Sequence, residues 1–217
     1  MSAHTSSRQP DVGAVRLLSR TFFHRGRVFE TSHDAIQLAS GVRLELDVIH
    51  HLGGAAVLPI FDNDDVLLIR QYRHPAGQVL LEAPAGRLEL GEVPEAAARR
   101  ELLEETGYQA ETFTFVTKFY ALPGYSTEVL YCFSATGLTP GAQCLDADED
   151  IRTVRLPLAE ALSLVHRGGI VDAKTMMTLL LVDAQRRESA FSAEQRRTAT
   201  SPLPDCLPGP GDGRGGS

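Results

Sequence analysis

From residue 14 to residue 51 the apolar positions fall into three short β-like runs, AVRLLSRTFFH, RVFETSHDAIQL and VRLELDVIHH, with the turn pairs Arg25-Gly26 and Ser40-Gly41 between them. Three strands alone bury too little to be stable, so this segment is expected to pack on something else, a second subunit being one candidate. From Gly53 the character changes. GAAVLPIF and VLLIRQYR flank Asp62-Asn63-Asp64-Asp65, a hairpin signal, and QVLLEAPAG follows. TFTFVTKFYALPG, TEVLYCFSATGL and DIRTVRLP also read as strands. Helical patterns occupy EAAARRELLEET, then PLAEALSLVHRGG up to Gly168, then DAKTMMTLLLVDAQRR with Asp172 as its cap. Strands mixed with a few helices, not strictly alternating, predict an α/β (α+β) domain with a mixed sheet between helices.

The first helix raises a question of chemistry. Pro94 suits its first turn, Gly107 the position past its end, and strong helix formers lie between. At about 100° per residue, Glu104 and Glu105 lie roughly 60° and 40° to either side of Glu101, so three carboxylates share one face. They also sit in the last turn, where the helix dipole is already negative. Like charges at these spacings cost a few tenths of a kcal/mol per pair. Arg100 could relieve Glu104, although Arg before Glu is the weaker order. A divalent cation would reverse the account, since hard oxygen ligands are what Mg²⁺ or Mn²⁺ takes. The alternative is a solvated charged face.

The surrounding stretch GRLELGEVPEAAARRELLEETGY, with Gly86, Glu92, Arg100, Glu101, Leu102, Glu104, Glu105, Gly107 and Tyr108 at fixed offsets, resembles the complete Nudix box. Its last apolar place is taken by an amphipathic Tyr. The resemblance implies the Nudix fold, a mixed β-sheet sandwiched between helices, and cleavage of a diphosphate that joins a nucleoside to another group. It makes Glu101 and Glu105 the main metal ligands, Glu104 a further ligand, and the Ala85 carbonyl a backbone ligand. Arg100 and Glu92 become the pair that orients loop and helix. Bound cations would neutralise the diphosphate and activate the attacking water. A general base is then required within reach of that water. The resemblance points to the loop CLDADEDIR, with Glu149 chosen and Asp148 and Asp150 as rivals; an ordinary solvated acidic loop is the other reading.

LLIRQYRHPAGQVLLEAPAG resembles the segment before the box in ADP-ribose and sugar-nucleotide pyrophosphatases. Arg73 and Arg70 are candidate phosphate donors. Being three apart in a strand, they face opposite ways, so only one is expected to enter the site, and Arg73 is favoured over an ordinary surface salt bridge. Glu82 matches a carboxylate near the metals in such relatives. Pro123, fifteen residues after Tyr108, stands where the ADP-ribose subgroup carries proline, although a Pro-Gly pair is also an ordinary turn. The resemblance further implies a homodimer built on the N-terminal β extension, which helps line the adenine pocket; Phe22, Phe23, Phe29 and Tyr125 are candidates to stack on a base. The expected reaction is Mg²⁺-dependent hydrolysis of ADP-ribose to AMP and ribose 5-phosphate. GDP-mannose and other nucleoside diphosphate sugars compete as substrates. A regulator that binds such ligands without cleaving them would show a degraded box and an attached DNA-binding region, and neither is visible.

Composition narrows the setting. The 217 residues are 43% hydrophobic and 23% charged, with a formal net charge of −7, which argues against a nucleic-acid surface. No run reaches membrane-span length and the start lacks an apolar leader, so a cytoplasmic protein is expected. Cys132, Cys144 and Cys206 are odd in number and widely spaced, which speaks against a disulfide framework. The expected organisation is a tail over 1–12, the β extension over 13–51, the hydrolase domain over 52–190, and a Pro/Gly-rich tail over 191–217.

Overall fold

The computed structural model describes residues 13–145 and 150–199. Among them ten strands and three α-helices are formed. The N-terminal strands β1 (Arg16–Arg25), β2 (Glu30–Gln37) and β3 (Arg43–His50) make an antiparallel sheet of their own, in the order β1-β2-β3. β4 (Gly54–Pro59) and β5 (Asp65–Arg73) flank the expected turn, where Asp64 takes a left-handed φ of 64°, but they do not form the expected hairpin: an isolated bridge joins Ile60 to Val66 and the two strands enter different sheets. QVLLEAPAG divides into β6 (Gln78–Glu82) and β7 (Ala85–Arg87). The division falls at Pro84, which has no N–H to give a ladder; its carbonyl accepts from Val57 N–H at 2.9 Å. The chain thereby changes sheets, and this break places β7 beside the first helix. After α1 (Pro94–Thr106) come β8 (Tyr108–Tyr120), β9 (Val129–Pro140) and β10 (Ile151–Pro157), then α2 (Leu158–His166) and α3 (Ala173–Ala199).

One core sheet is antiparallel, in the order β10-β5-β6; the other runs β7-β4-β9-β8 and is mixed, because β4 and β9 pair in parallel from Gly54↔Leu130 to Pro59↔Ala135. All six residues of β4 are buried. Its side chains alternate between two cores, as a strand covered on both faces must. Ala55 and Val57 join Ala97, Ala98 and Leu102 of α1, whereas Ala56 and Leu58 join Ala161 of α2 and Leu179 of α3. The mixed sheet is therefore sandwiched by helices, as expected.

The caps obey the sequence. Pro94 occupies the first turn of α1, and Gly107 (φ 72°) donates to Leu103 O at 2.8 Å. Asp172 caps α3, its Oδ2 accepting from Thr175 N–H at 3.0 Å. α3 runs on past Arg187 to Ala199, because RRESAFSAEQRRTA holds neither Gly nor Pro. Among the described residues packing forms two compact units, one up to Val182 and one from Asp183 on. The first holds every strand, the N-terminal sheet included; in the second, Arg187 pairs with Asp183 one helical turn away at 2.7 Å. The N-terminal sheet joins the loop after β8 through Ile49, whose N–H donates to Tyr125 O at 2.7 Å and whose carbonyl accepts from Thr127 at 2.9 Å. No described helix is long and apolar enough to cross a membrane.

Candidate active site

Ala97, Ala98 and Leu102 anchor α1 on β4, and the helical period then turns Glu101 and Glu105 toward β7. Both carboxylates are buried, at 8% and 2% exposure. Glu105 Oε2 accepts from Ala85 N–H at 2.8 Å. Gly86 leaves the room that the Glu101 carboxylate fills, and a Cβ there would displace that carboxylate. Loop backbone and helix carboxylates thus meet where the missing side chain leaves room.

Arg100 gathers the acids. It donates to Glu92 through Nε (3.1 Å) and Nη2 (3.2 Å), and through Nη1 to Glu101 at 2.6 Å and Glu104 at 3.0 Å. Nη2 also reaches Arg87 O at 3.2 Å, so one guanidinium ties loop, strand and helix together. The Glu92 hydrogen bond, opposed by burial and assisted by Glu101 and Glu104, holds Arg100 above its ordinary basicity. The same bond holds the Glu92 carboxyl below the usual range.

A second charged cluster stands on β5, β6 and the start of α3. Glu82, only 1% exposed, accepts from Arg73 through a bidentate pair of 2.9 Å bonds. Lys174 Nζ donates to Glu82 Oε2 at 2.5 Å and to Asp172 Oδ1 at 2.9 Å. Burial would push the Glu82 carboxyl up, but the hydrogen bonds and charges of Arg73 and Lys174 outweigh it and hold it below the carboxylate range.

Two cavities meet at this point. One, of about 380 Å³, is lined by Glu101, Glu104, Glu105, Arg100, Gln71 and Cys144 among others. The other, of about 450 Å³, has Phe119, Leu122 and Leu130 on its wall together with Glu128, Asp172 and Lys174. Arg73, Ala85, Gly86 and Arg87 line both and form the ridge between them.

The fold brings together Glu101, Glu104, Glu105, Arg100, Ala85, Arg73 and Glu82. Arg70, on the opposite face of β5, is exposed and lines neither cavity, as the strand period required. Pro123 is exposed in the loop after β8 and lines neither cavity, while its neighbours Ala121 and Leu122 line the larger one. Ala85 meets Glu105 through its N–H. The Arg73 fork, expected to serve phosphate, is engaged by Glu82 at Nε and Nη2. Glu149 and Asp148 lie outside the described residues; Asp150 is exposed just before β10. Among the described residues no three acidic, imidazole or thiol groups stand close enough together to hold an ion as placed, because Arg100 draws Glu101 and Glu104 and Ala85 holds Glu105. The donor set itself, clustered carboxylates against loop backbone, fits a hard divalent cation. Cys132 and Cys144 are free thiols. Lys174 escaped the sequence reading: Asp172 was legible as a cap, but nothing local tells that the lysine two residues on turns inward to a carboxylate on β6.

Known proteins resemble this chain over most of its length. An ADP-ribose pyrophosphatase of Bacillus subtilis is 37% identical over 152 residues, 69% of this chain and 82% of the relative. A GDP-mannose pyrophosphatase of Yersinia pestis is 38% identical over 143 residues, 60% of this chain and 71% of the relative. Among solved structures, a crystal structure of an ADP compounds hydrolase superposes with a TM-score of 0.72 at 26% identity, covering 82% of this chain and 97% of the other. The model of the NUDIX domain matches residues 50–179, the segment that contains β4, α1, the larger cavity and all three helix carboxylates of the other. With the box, the fold and these likenesses in agreement, the chain belongs to the Nudix hydrolase family.

Proposed function

We propose that this Nudix hydrolase cleaves the diphosphate of ADP-ribose, with water, to AMP and ribose 5-phosphate. The observation that carries the reading is the joined pair of cavities: an acid-lined one around Glu101, Glu104 and Glu105, and a larger, partly apolar one across the Arg73–Arg87 ridge. A molecule that pairs a diphosphate with a base and a sugar fits such a site. The resemblance to a named ADP-ribose pyrophosphatase supports it. The likeness to a GDP-mannose pyrophosphatase favours a second reading, a wider nucleoside diphosphate sugar activity.

Nudix hydrolases generally need a divalent metal ion. Here Mg²⁺, with Mn²⁺ as substitute, is proposed to be held by Glu101, Glu104 and Glu105 with Ala85 as backbone neighbour. Its chemistry would be neutralisation of the diphosphate and lowering of the pKa of the attacking water. Arg100 orients the carboxylates and, on loading, would yield its share of Glu101 and Glu104. Arg73, fixed by Glu82, keeps its Nη1 end for a phosphate oxygen. Glu149 is proposed to take the proton of the attacking water as that oxygen bonds to phosphorus and the bridging P–O bond breaks. The N-terminal sheet is proposed to mediate a homodimer, and the setting is cytoplasmic.

The test is a substrate panel of ADP-ribose, GDP-mannose, UDP-glucose, NADH and diadenosine polyphosphates, with and without Mg²⁺, and with products identified. ADP-ribose is expected to give the highest kcat/KM, with AMP as product. A clear preference for GDP-mannose would favour the second reading, and no metal-dependent turnover of any member would end both.

A further inference from the structure

Lys174 is a half-buried cation outside the Nudix box. Its side chain is 12% exposed, and its ammonium sits between Glu82 Oε2 and Asp172 Oδ1. Asp172 is itself fixed: Oδ2 accepts from Thr175 N–H at 3.0 Å and Oγ1–H at 2.5 Å, and Thr175 Oγ1 accepts from Ala83 N–H at 2.7 Å. The lysine therefore projects from a rigid helix start that is bonded to the strand end carrying Glu82. Glu82 already has one full partner in Arg73, so the lysine is not needed to balance its charge. Nor is a buried ion pair good support for stability, since apolar replacements of such pairs are often neutral.

What Lys174 adds is geometric. A carboxylate held only by the Arg73 fork can swing together with the guanidinium, because two parallel hydrogen bonds fix them to each other and to nothing else. The third bond, from Lys174 to Oε2, pins that carboxylate to α3. Arg73 lines both cavities, and its Nε and Nη2 are engaged, so the direction of its Nη1 end depends on the plane of Glu82.

We propose that Lys174 is a positioning residue: by holding Glu82 it fixes the Arg73 guanidinium on the ridge between the cavities and so sets affinity for the diphosphate of the substrate. This rests on the reading that the two cavities take a nucleoside diphosphate sugar. The experiment is steady-state kinetics on ADP-ribose with Mg²⁺ for Lys174→Met, Lys174→Arg, Glu82→Gln and the Lys174→Met/Glu82→Gln double variant, each checked by thermal melting. Lys174→Met is expected to raise KM about tenfold with kcat within about threefold, a loss of uniform binding. Lys174→Arg, which still reaches Glu82, recovers most of that loss. In the Glu82→Gln background Lys174→Met adds less than about twofold, because the linker it works through is gone. An unchanged KM in folded Lys174→Met overturns the inference, as does a full tenfold effect that persists in the Glu82→Gln background, which would make Lys174 a direct substrate contact. Should Lys174→Met not fold, Lys174→Gln carries the same comparison. Absence of wild-type turnover on ADP-ribose instead ends the reading beneath the inference and is distinguished by that fact.

Discussion

Strand β4 and the N-terminal sheet treat apolar sequence in opposite ways. Every residue of β4 is buried, with α1 over one face and α2 and α3 over the other, whereas Leu17, Phe22, Phe23, Leu44 and Leu46 of β1–β3 stand open. A closed region can carry chemistry that needs fixed carboxylates in little water. An open apolar sheet fits association, since contiguous exposed apolar surface marks interaction sites. The same contrast divides the expected consequences of mutation: changes in the closed region should alter turnover or melting at any concentration, and changes in the open one should alter assembly.

The largest effect is expected at Glu105. Replacing it with Gln keeps the shape and the bond to Ala85 N–H but removes the charge proposed to hold the metal. Turnover of ADP-ribose should fall on the order of 10³-fold, about 4 kcal/mol of transition-state stabilisation, in steady-state assays. Melting temperature and subunit mass should stay as they are. Undiminished turnover would remove Glu105 from the metal site and leave the closed region without its central role.

A matched pair of truncations tests the contrast itself. Leu68→Ala, in the core shared with α2 and α3, should cost about 3 kcal/mol in chemical denaturation. Leu46→Ala, 37% exposed in the N-terminal sheet, should cost only a few tenths in a dilute single chain. Phe23→Ser, at 63% exposure, should lower the mass measured by light scattering from twice the chain mass to that of one chain, with the Leu68 core unaffected. A wild type that runs as one chain at all concentrations would leave the open sheet without the proposed partner.

The two regions also differed in how far sequence could reach them. The box, its caps and the helix face were legible because they are local: Pro94, Gly107 and the 101/104/105 spacing act within a few residues. That Arg70 and Arg73 face opposite ways followed from strand alternation. The switch of sheets at Pro84 was missed, because a single apolar run does not tell which partner strand takes it. Lys174 was missed for the same reason, since its partner Glu82 lies 92 residues away. The Arg73 fork was assigned to phosphate although a buried carboxylate on β6 occupies it; the β5–β6 register puts Arg73 and Glu82 on one face but four rungs apart, and the long arginine side chain reaches back along the sheet to meet it. In the N-terminal sheet the strands were legible, but alternation within one chain does not tell which of their apolar side chains stay open.

The smallest effect is a pH dependence, and each region holds a bidentate Arg–carboxylate pair to compare. Arg20 donates to Asp34 from Nε and Nη2 at 2.9 and 2.6 Å, and Ser32 Oγ donates to Asp34 at 2.7 Å. The Arg20 bond, opposed by burial and assisted by Ser32, holds the Asp34 carboxyl below its usual range; Glu82 is held low against burial by Arg73 and Lys174. In the unfolded chain Glu82 titrates near about 4.3 and Asp34 near about 3.9. A carboxyl depressed on folding stabilises fully above its unfolded pKa and loses that stabilisation as pH falls toward its folded one. The melting gap between wild type and Glu82→Gln should therefore be constant from neutral pH to about pH 5, and close below about 4.3. The gap for Asp34→Asn should behave alike but begin to close a few tenths of a unit lower. Melts at pH 7, 5, 4 and 3 read both. A gap that instead shifts in favour of the wild type as pH falls, beginning above pH 5, would mean that burial outweighs the two cations, and the fixed Arg73 of the closed region would lose its anchor.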